Sequence, residues 1–131
     1  MKIVLDVSAA FSIITDSLNS ESFISYLERA EMVLAPDIYF SEVANTAWKY
    51  HTIKGATLDE AMHMAEYAMK FIDIFIPSED LLKIVLTLSC EHKHPAYDCF
   101  YLSIALKENA SLLTNDRKLK ELAKTLKVPC I

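Results

Sequence analysis

The sequence predicts an α/β protein, a three-layer α/β/α arrangement in which a short parallel sheet is covered by helices on both faces. Three observations carry this. Short apolar runs alternate with longer amphipathic segments from one end of the chain to the other, without repeats or low-complexity linkers. Such alternation marks a parallel sheet joined by helical crossovers, which are right-handed. The first run, Ile3-Val4-Leu5, is continuous rather than alternating, as in a strand buried on both faces. Finally, 131 residues with 53% apolar side chains suit one domain, residues 1–131, with a sizeable core.

The elements follow in order. After the first strand comes Asp6, then a short helix over Ala9–Thr15. Ser20 is placed to cap a helix over Glu21–Ala30 with Phe23, Ile24 and Leu27 on one face. Met32–Ala35 is the second strand, stopped by Pro36, and Asp37 is placed to cap the next helix. That helix, Ile38–Ile53, carries Phe40, Val43, Ala44, Ala47 and Trp48 at helical spacing, with Glu42 at the edge of the stripe. Gly55 breaks it. Thr57-Leu58-Asp59-Glu60 is a capping-box pattern opening a helix with Leu58, Met62, Ala65, Met69 and Ile72 in a stripe, expected in the core or against another helix.

Ile74–Ile76 is the third strand, ended by Pro77, with Ser78 as the cap of the following helix. Cys90-Glu91-His92-Lys93-His94 interrupts the pattern, and Pro95 opens a new helix in which Asp98 comes early. Leu112 and Leu113 form a fourth strand, followed by Thr114-Asn115-Asp116 and a helix near Arg117. Val128–Ile131 reads as a last edge strand.

Composition excludes several functions. The only glycine is Gly55, whereas dinucleotide fingerprints and phosphate-binding loops need several for close backbone approach. No apolar run reaches the ~20 residues that span a bilayer, so no membrane role is expected. Three cysteines in a chain without an export signal suggest reduced thiols and a cytoplasmic setting. The net charge of −5 argues against a general nucleic-acid coat. It leaves room for a local basic strip among Arg117, Lys118, Lys120, Lys124 and Lys127, which otherwise form a solvated helix face.

The acids are more informative. Asp6 and Asp116 stand at the carboxyl ends of predicted parallel strands, where open sheets place their sites. Glu42 and Asp98 lie near the starts of helices, which begin on the same edge. Each has a plainer reading: a surface glutamate for Glu42, dipole compensation for Asp98, an N-cap for Asp116. Gathered together, four carboxylates would repel one another unless a hard cation joined them. Oxygen ligands without His or Cys favour Mg²⁺ or Mn²⁺, and such a site suits hydrolysis of phosphodiesters.

Taken in order, Leu5-Asp6-Val7-Ser8, Ser41-Glu42-Val43-Ala44-Asn45, Tyr97-Asp98-Cys99-Phe100-Tyr101-Leu102-Ser103-Ile104-Ala105 and Leu113-Thr114-Asn115-Asp116-Arg117-Lys118-Leu119 resemble the four acidic motifs of the PIN domain. The length resembles the VapC-like toxins of toxin–antitoxin pairs. The resemblance implies a Rossmann-like fold and an Mg²⁺- or Mn²⁺-dependent ribonuclease. By it, Asp6, Glu42, Asp98 and Asp116 hold the metal and its water, Ser8 and Thr114 support them, and Asn115 helps orient Asp116. Arg117 and Lys118 are then candidate RNA contacts. It also implies a homodimer and an antitoxin partner that occupies the acidic groove.

Two other classes stay open on sequence alone. A catalytically silent PIN-like binding protein would keep the same shell. A zinc module would use Cys90, His92, His94 and Cys99, whose spacing matches no strong zinc pattern, against the plainer reading of a loop with exposed histidines.

Overall fold

The computed structural model describes residues 1–131 and contains four parallel strands in the order β3-β2-β1-β4. The strands are β1 (Lys2–Leu5), β2 (Met32–Pro36), β3 (Ile74–Ile76) and β4 (Ser111–Leu113). The helices are α1 (Val7–Ile14), α2 (Ser20–Arg29), α3 (Tyr39–Lys54), α4 (Leu58–Met69), α5 (Leu82–His92), α6 (Ala96–Glu108) and α7 (Arg117–Thr125). The α/β fold class and every strand–helix alternation up to α7 are those the sequence predicts.

Strand order decides where the site lies. The chain steps outward from β1 to β2 to β3, then crosses back over the sheet to β4 on the far side of β1. Right-handed crossovers in opposite directions lay their helices on opposite faces. Accordingly α1 to α4 pack on one another, while α5 and α6 pair and α6 lies against β1 and β2. Ile3, Val4 and Leu5 have no exposed surface, as a doubly covered central strand requires. The reversal between β1 and β4 opens a crevice at their carboxyl ends, the usual ligand position in such sheets. Register sets Leu5 beside Leu113.

Several helix ends differ from expectation, and at Asp37 and Ser78 the reason is that the capping side chains bond each other. Asn19, in the left-handed region, precedes α2, and Ser20 is the first helical residue. Asp37 makes no cap for α3; its Oδ1 accepts from both the backbone N–H and the hydroxyl of Ser78. That bond occupies Ser78, and a short 3₁₀ turn over Ser78–Leu81 intervenes before α5. Gly55 does end α3 with φ +76°, a conformation only glycine adopts freely. Thr57 caps α4 by accepting from the Glu60 N–H at 3.1 Å. Glu60 Oε1 takes the Thr57 hydroxyl proton.

The α4 stripe is only partly core. Of that stripe, Ala65, Met69 and Ile72 are half-buried against the core, Ile72 lying just past the helix end, whereas Leu58 and Met62 face solvent beside Trp48 of α3; the buried α4 residues, Ala61 and Ala68, lie outside the stripe. The buried Tyr39 hydroxyl donates to the Ala68 carbonyl at 2.8 Å and holds α3 against α4. Val128–Ile131 does not form a strand. A single parallel bridge joins Cys130 to Leu112, because left-handed Lys127 and Pro129 leave no run of ladder donors.

Candidate active site

At the crevice, the Asp6 N–H donates to the Leu113 carbonyl at 3.0 Å. This extends the β1–β4 ladder by one step and brings Asp6 beside Thr114. The carboxylate is 7% exposed. Its Oδ2 accepts from Ser8 Oγ at 2.5 Å and from Thr114 Oγ1 at 2.6 Å. Each hydroxyl has one proton and spends it there, so the 3.1 Å approach of the two hydroxyls is a contact rather than a further bond. Their lone pairs accept in turn, Ser8 from the Asn115 N–H and Thr114 from the Asp116 N–H, both at 2.9 Å. Ser8 and Thr114 thus stand beside the first acid, as the motif reading expects.

Glu42 sits in the first turn of α3 and Asp98 in the first turn of α6. Both helices start at the crevice edge. Burial pushes the Asp6 carboxyl up despite its two hydroxyl donors, and the charge of Asp98 adds to the rise. Glu42 is pushed up to about 7, chiefly by burial, with Asp6 and Asp98 adding repulsion and the Tyr101 hydroxyl opposing it. Tyr101 Oη donates to Glu42 Oε1 at 2.8 Å. Burial and the charges of Asp6 and Glu42 hold the Tyr101 hydroxyl far above its ordinary range. It is therefore a fixed donor. Tyr39 is raised by the same causes. Three carboxylates sharing a field is a costly arrangement in the absence of a counter-ion.

The structure brings Asp6, Glu42 and Asp98 together electrostatically and treats Asp116 differently. Asp116 is exposed, and its Oδ1 accepts from the Leu119 N–H at 2.9 Å as the N-cap of α7. Asp116 is not among the charges that raise Asp6 or Glu42. Asn115 does not orient it: the Asn115 amide donates to Ser12 Oγ and to the Leu18 carbonyl, and its oxygen accepts from Asn19. Arg117 and Lys118 are exposed on the first turn of α7, with Arg117 Nε 3.4 Å from Glu121.

No three His, Cys, Asp or Glu side chains stand close enough to chelate one ion directly. For zinc this removes the Cys90, His92, His94 and Cys99 set; Cys99 is buried and Cys90 exposed. For Mg²⁺ or Mn²⁺ the donor chemistry of Asp6, Glu42 and Asp98 fits, since these ions keep several waters and use one or two carboxylates. The raised Asp6 and Glu42 carboxyls are those a cation would relieve.

Two partners escaped the sequence reading. His94 is not an exposed loop residue: its Nε2 lies 2.7 Å from Asp98 Oδ2 and its side chain is only 12% exposed. The signal was its place four residues before Asp98. Tyr101, three residues after Asp98, was hidden in an apolar run.

Residues 3–125 match the PIN domain family. The chain is 32% identical to Ribonuclease VapC3 of Pyrobaculum aerophilum over 98% of this chain and 100% of that protein. A crystal structure of PAE2754 from Pyrobaculum aerophilum superposes with a TM-score of 0.71 at 19% identity, covering 99% of this chain and 83% of the other. That likeness bears on the fold alone.

Proposed function

Because this chain belongs to the PIN domain family, we propose that it is a VapC-like ribonuclease that hydrolyses RNA phosphodiester bonds with a divalent cation. The observation that carries this is the trio Asp6, Glu42 and Asp98, mutually repelling at the β1–β4 crevice with Asp6 almost wholly buried. In this reading the trio holds Mg²⁺ or Mn²⁺ with one or two of its carboxylates in direct contact and the rest through the ion's retained waters, since no three of them stand close enough to chelate it together. Asp116 contributes from the rim through water while capping α7. A bound cation supplies charge neutralisation at the phosphate and a more acidic water.

The chain's own groups do the rest. Ser8 and Thr114 fix Asp6 by donating to Oδ2. Tyr101 fixes Glu42 by donating to Oε1, which leaves Oε2 without a side-chain donor. His94 fixes the Asp98 carboxylate by its contact at Oδ2.

An antitoxin protein as partner follows from the VapC likeness. We also propose a homodimer through the exposed apolar face of α3 and α4. No helix is long and apolar enough to cross a membrane, and the three free cysteines suit the cytoplasm. The decisive assay is cleavage of RNA with Mg²⁺ or Mn²⁺ by wild type and by Asp98→Asn. Activity should vanish with the substitution and with EDTA. Equal cleavage by both proteins would mean a contaminant and leave the silent-protein reading standing.

A further inference from the structure

A groove of about 450 Å³ lies between the end of α5 and the outer face of α7, next to the site. That volume lies within the ~300–1,000 Å³ of ligand-holding clefts. Its lining includes His92, Lys93, His94, Lys118 and Glu121. The geometry points to this groove as the track of the RNA strand beside the cleaved bond, with Lys93 and Lys118 each meeting a backbone phosphate. The inference rests on the ribonuclease reading and adds to it the path and the contacts.

Four observations support it. The groove shares a wall with the site, because His94 lines it and holds Asp98 at 2.7 Å. A strand whose phosphodiester sits at the acids and leaves along this wall therefore passes Lys93 and Lys118. Both ammonium groups are exposed, and neither is paired with a carboxylate. Glu121, the acid on the wall, lies against Arg117 at 3.4 Å, so its charge is partly answered. The fourth is global: a chain of net charge −5 repels RNA at long range, and binding needs a local cationic strip. Phosphate contacts of this kind position a strand without reading its bases.

The test is binding of a fluorescent single-stranded RNA in EDTA across a salt series, with wild type, Lys93→Glu/Lys118→Glu, and the control pair Lys49→Glu/Lys70→Glu. The control lysines are equally exposed, lie on α3 and just beyond α4, and change net charge by the same amount. For single strands each phosphate contact contributes about 0.7 to the slope of log affinity against log salt. The groove pair should weaken binding at least about tenfold and flatten the slope by roughly 0.7 to 1.4, while the control moves it little. Equal losses in the two pairs, or none in either, would overturn the groove while wild-type cleavage still upheld the ribonuclease. A wild type that neither cuts nor binds RNA would remove both.

Discussion

Two regions of this molecule break the usual sorting of residues in opposite directions. At the β1–β4 crevice, charge is buried: Asp6 is nearly inaccessible, and Glu42 and Asp98 stand within its field. On the outer side of α3 and α4, apolar surface is exposed: Trp48 is 56%, Leu58 61% and Met62 56% accessible around a groove of about 250 Å³. Each arrangement is unfavourable for the chain alone. Each becomes favourable with something added, a cation in the first region and an apolar surface in the second. Departures from folding logic of this kind mark where a protein spends stability on function.

The largest expected effect breaks the first region. Asp6→Asn or Asp98→Asn should lower RNA cleavage by at least about a hundredfold, the scale of losing one electrostatic group at a reacting centre, in a discontinuous gel assay. The matching stability experiment is Glu42→Gln without metal. Glu42 is raised from 4.5 to about 7 in the fold. Between those values the native state binds more protons than the unfolded chain, so wild-type stability falls as pH rises through the window. Glu42→Gln should therefore melt a few degrees higher than wild type at pH 8, and the gap should close near pH 4.5. A gap that persists at low pH would show that charge is not its cause.

Adding Mg²⁺ or Mn²⁺ to wild type at pH 8 should restore what the repulsion removes. At a hundred times the dissociation constant, binding contributes about 2.7 kcal/mol, several degrees in Tm. Asp6→Asn should show little of this gain.

The second region gives the next effect. Trp48→Asp with Met62→Asp places charge on a face already in water, so folding should survive. Light scattering at tens of micromolar should then show monomers where wild type shows dimers. A wild-type monomer would remove the dimer proposal and leave the crevice untouched. The smallest effect links the site to the core. Tyr101→Phe removes the donor that lowers Glu42, so the acid limb of the cleavage profile should move upward by about one pH unit.

What the sequence made legible follows the same division. Ile3–Leu5 and the acid after it were readable because a fully buried strand has a continuous apolar signature and an isolated carboxylate at its end is costly. Asp6 was then placed at the crevice by its position at a strand end, while Ser8 and Thr114 beside it came from the motif resemblance. The α4 stripe was legible only in part: it turns toward α3, as a helix–helix contact should, but periodicity reports which residues share a face and not how far it is covered, and Leu58 and Met62 share theirs with water. Asp37 and Ser78 looked like caps and instead bond each other across 41 residues, a pairing no local pattern contains. His94 was missed for a similar reason. Its role depends on the α5–α6 turn carrying it back onto Asp98, while the i, i+4 spacing was visible.

The central claim is that three carboxylates, from the residue after β1, from α3 and from α6, converge on one divalent cation. Anomalous scattering from crystals soaked in Mn²⁺ tests it most directly. A single strong peak between Asp6, Glu42 and Asp98, lost in crystals of Asp6→Asn, is the predicted result. A soaked crystal with no peak in the crevice, or with Mn²⁺ only at Asp116, would contradict it.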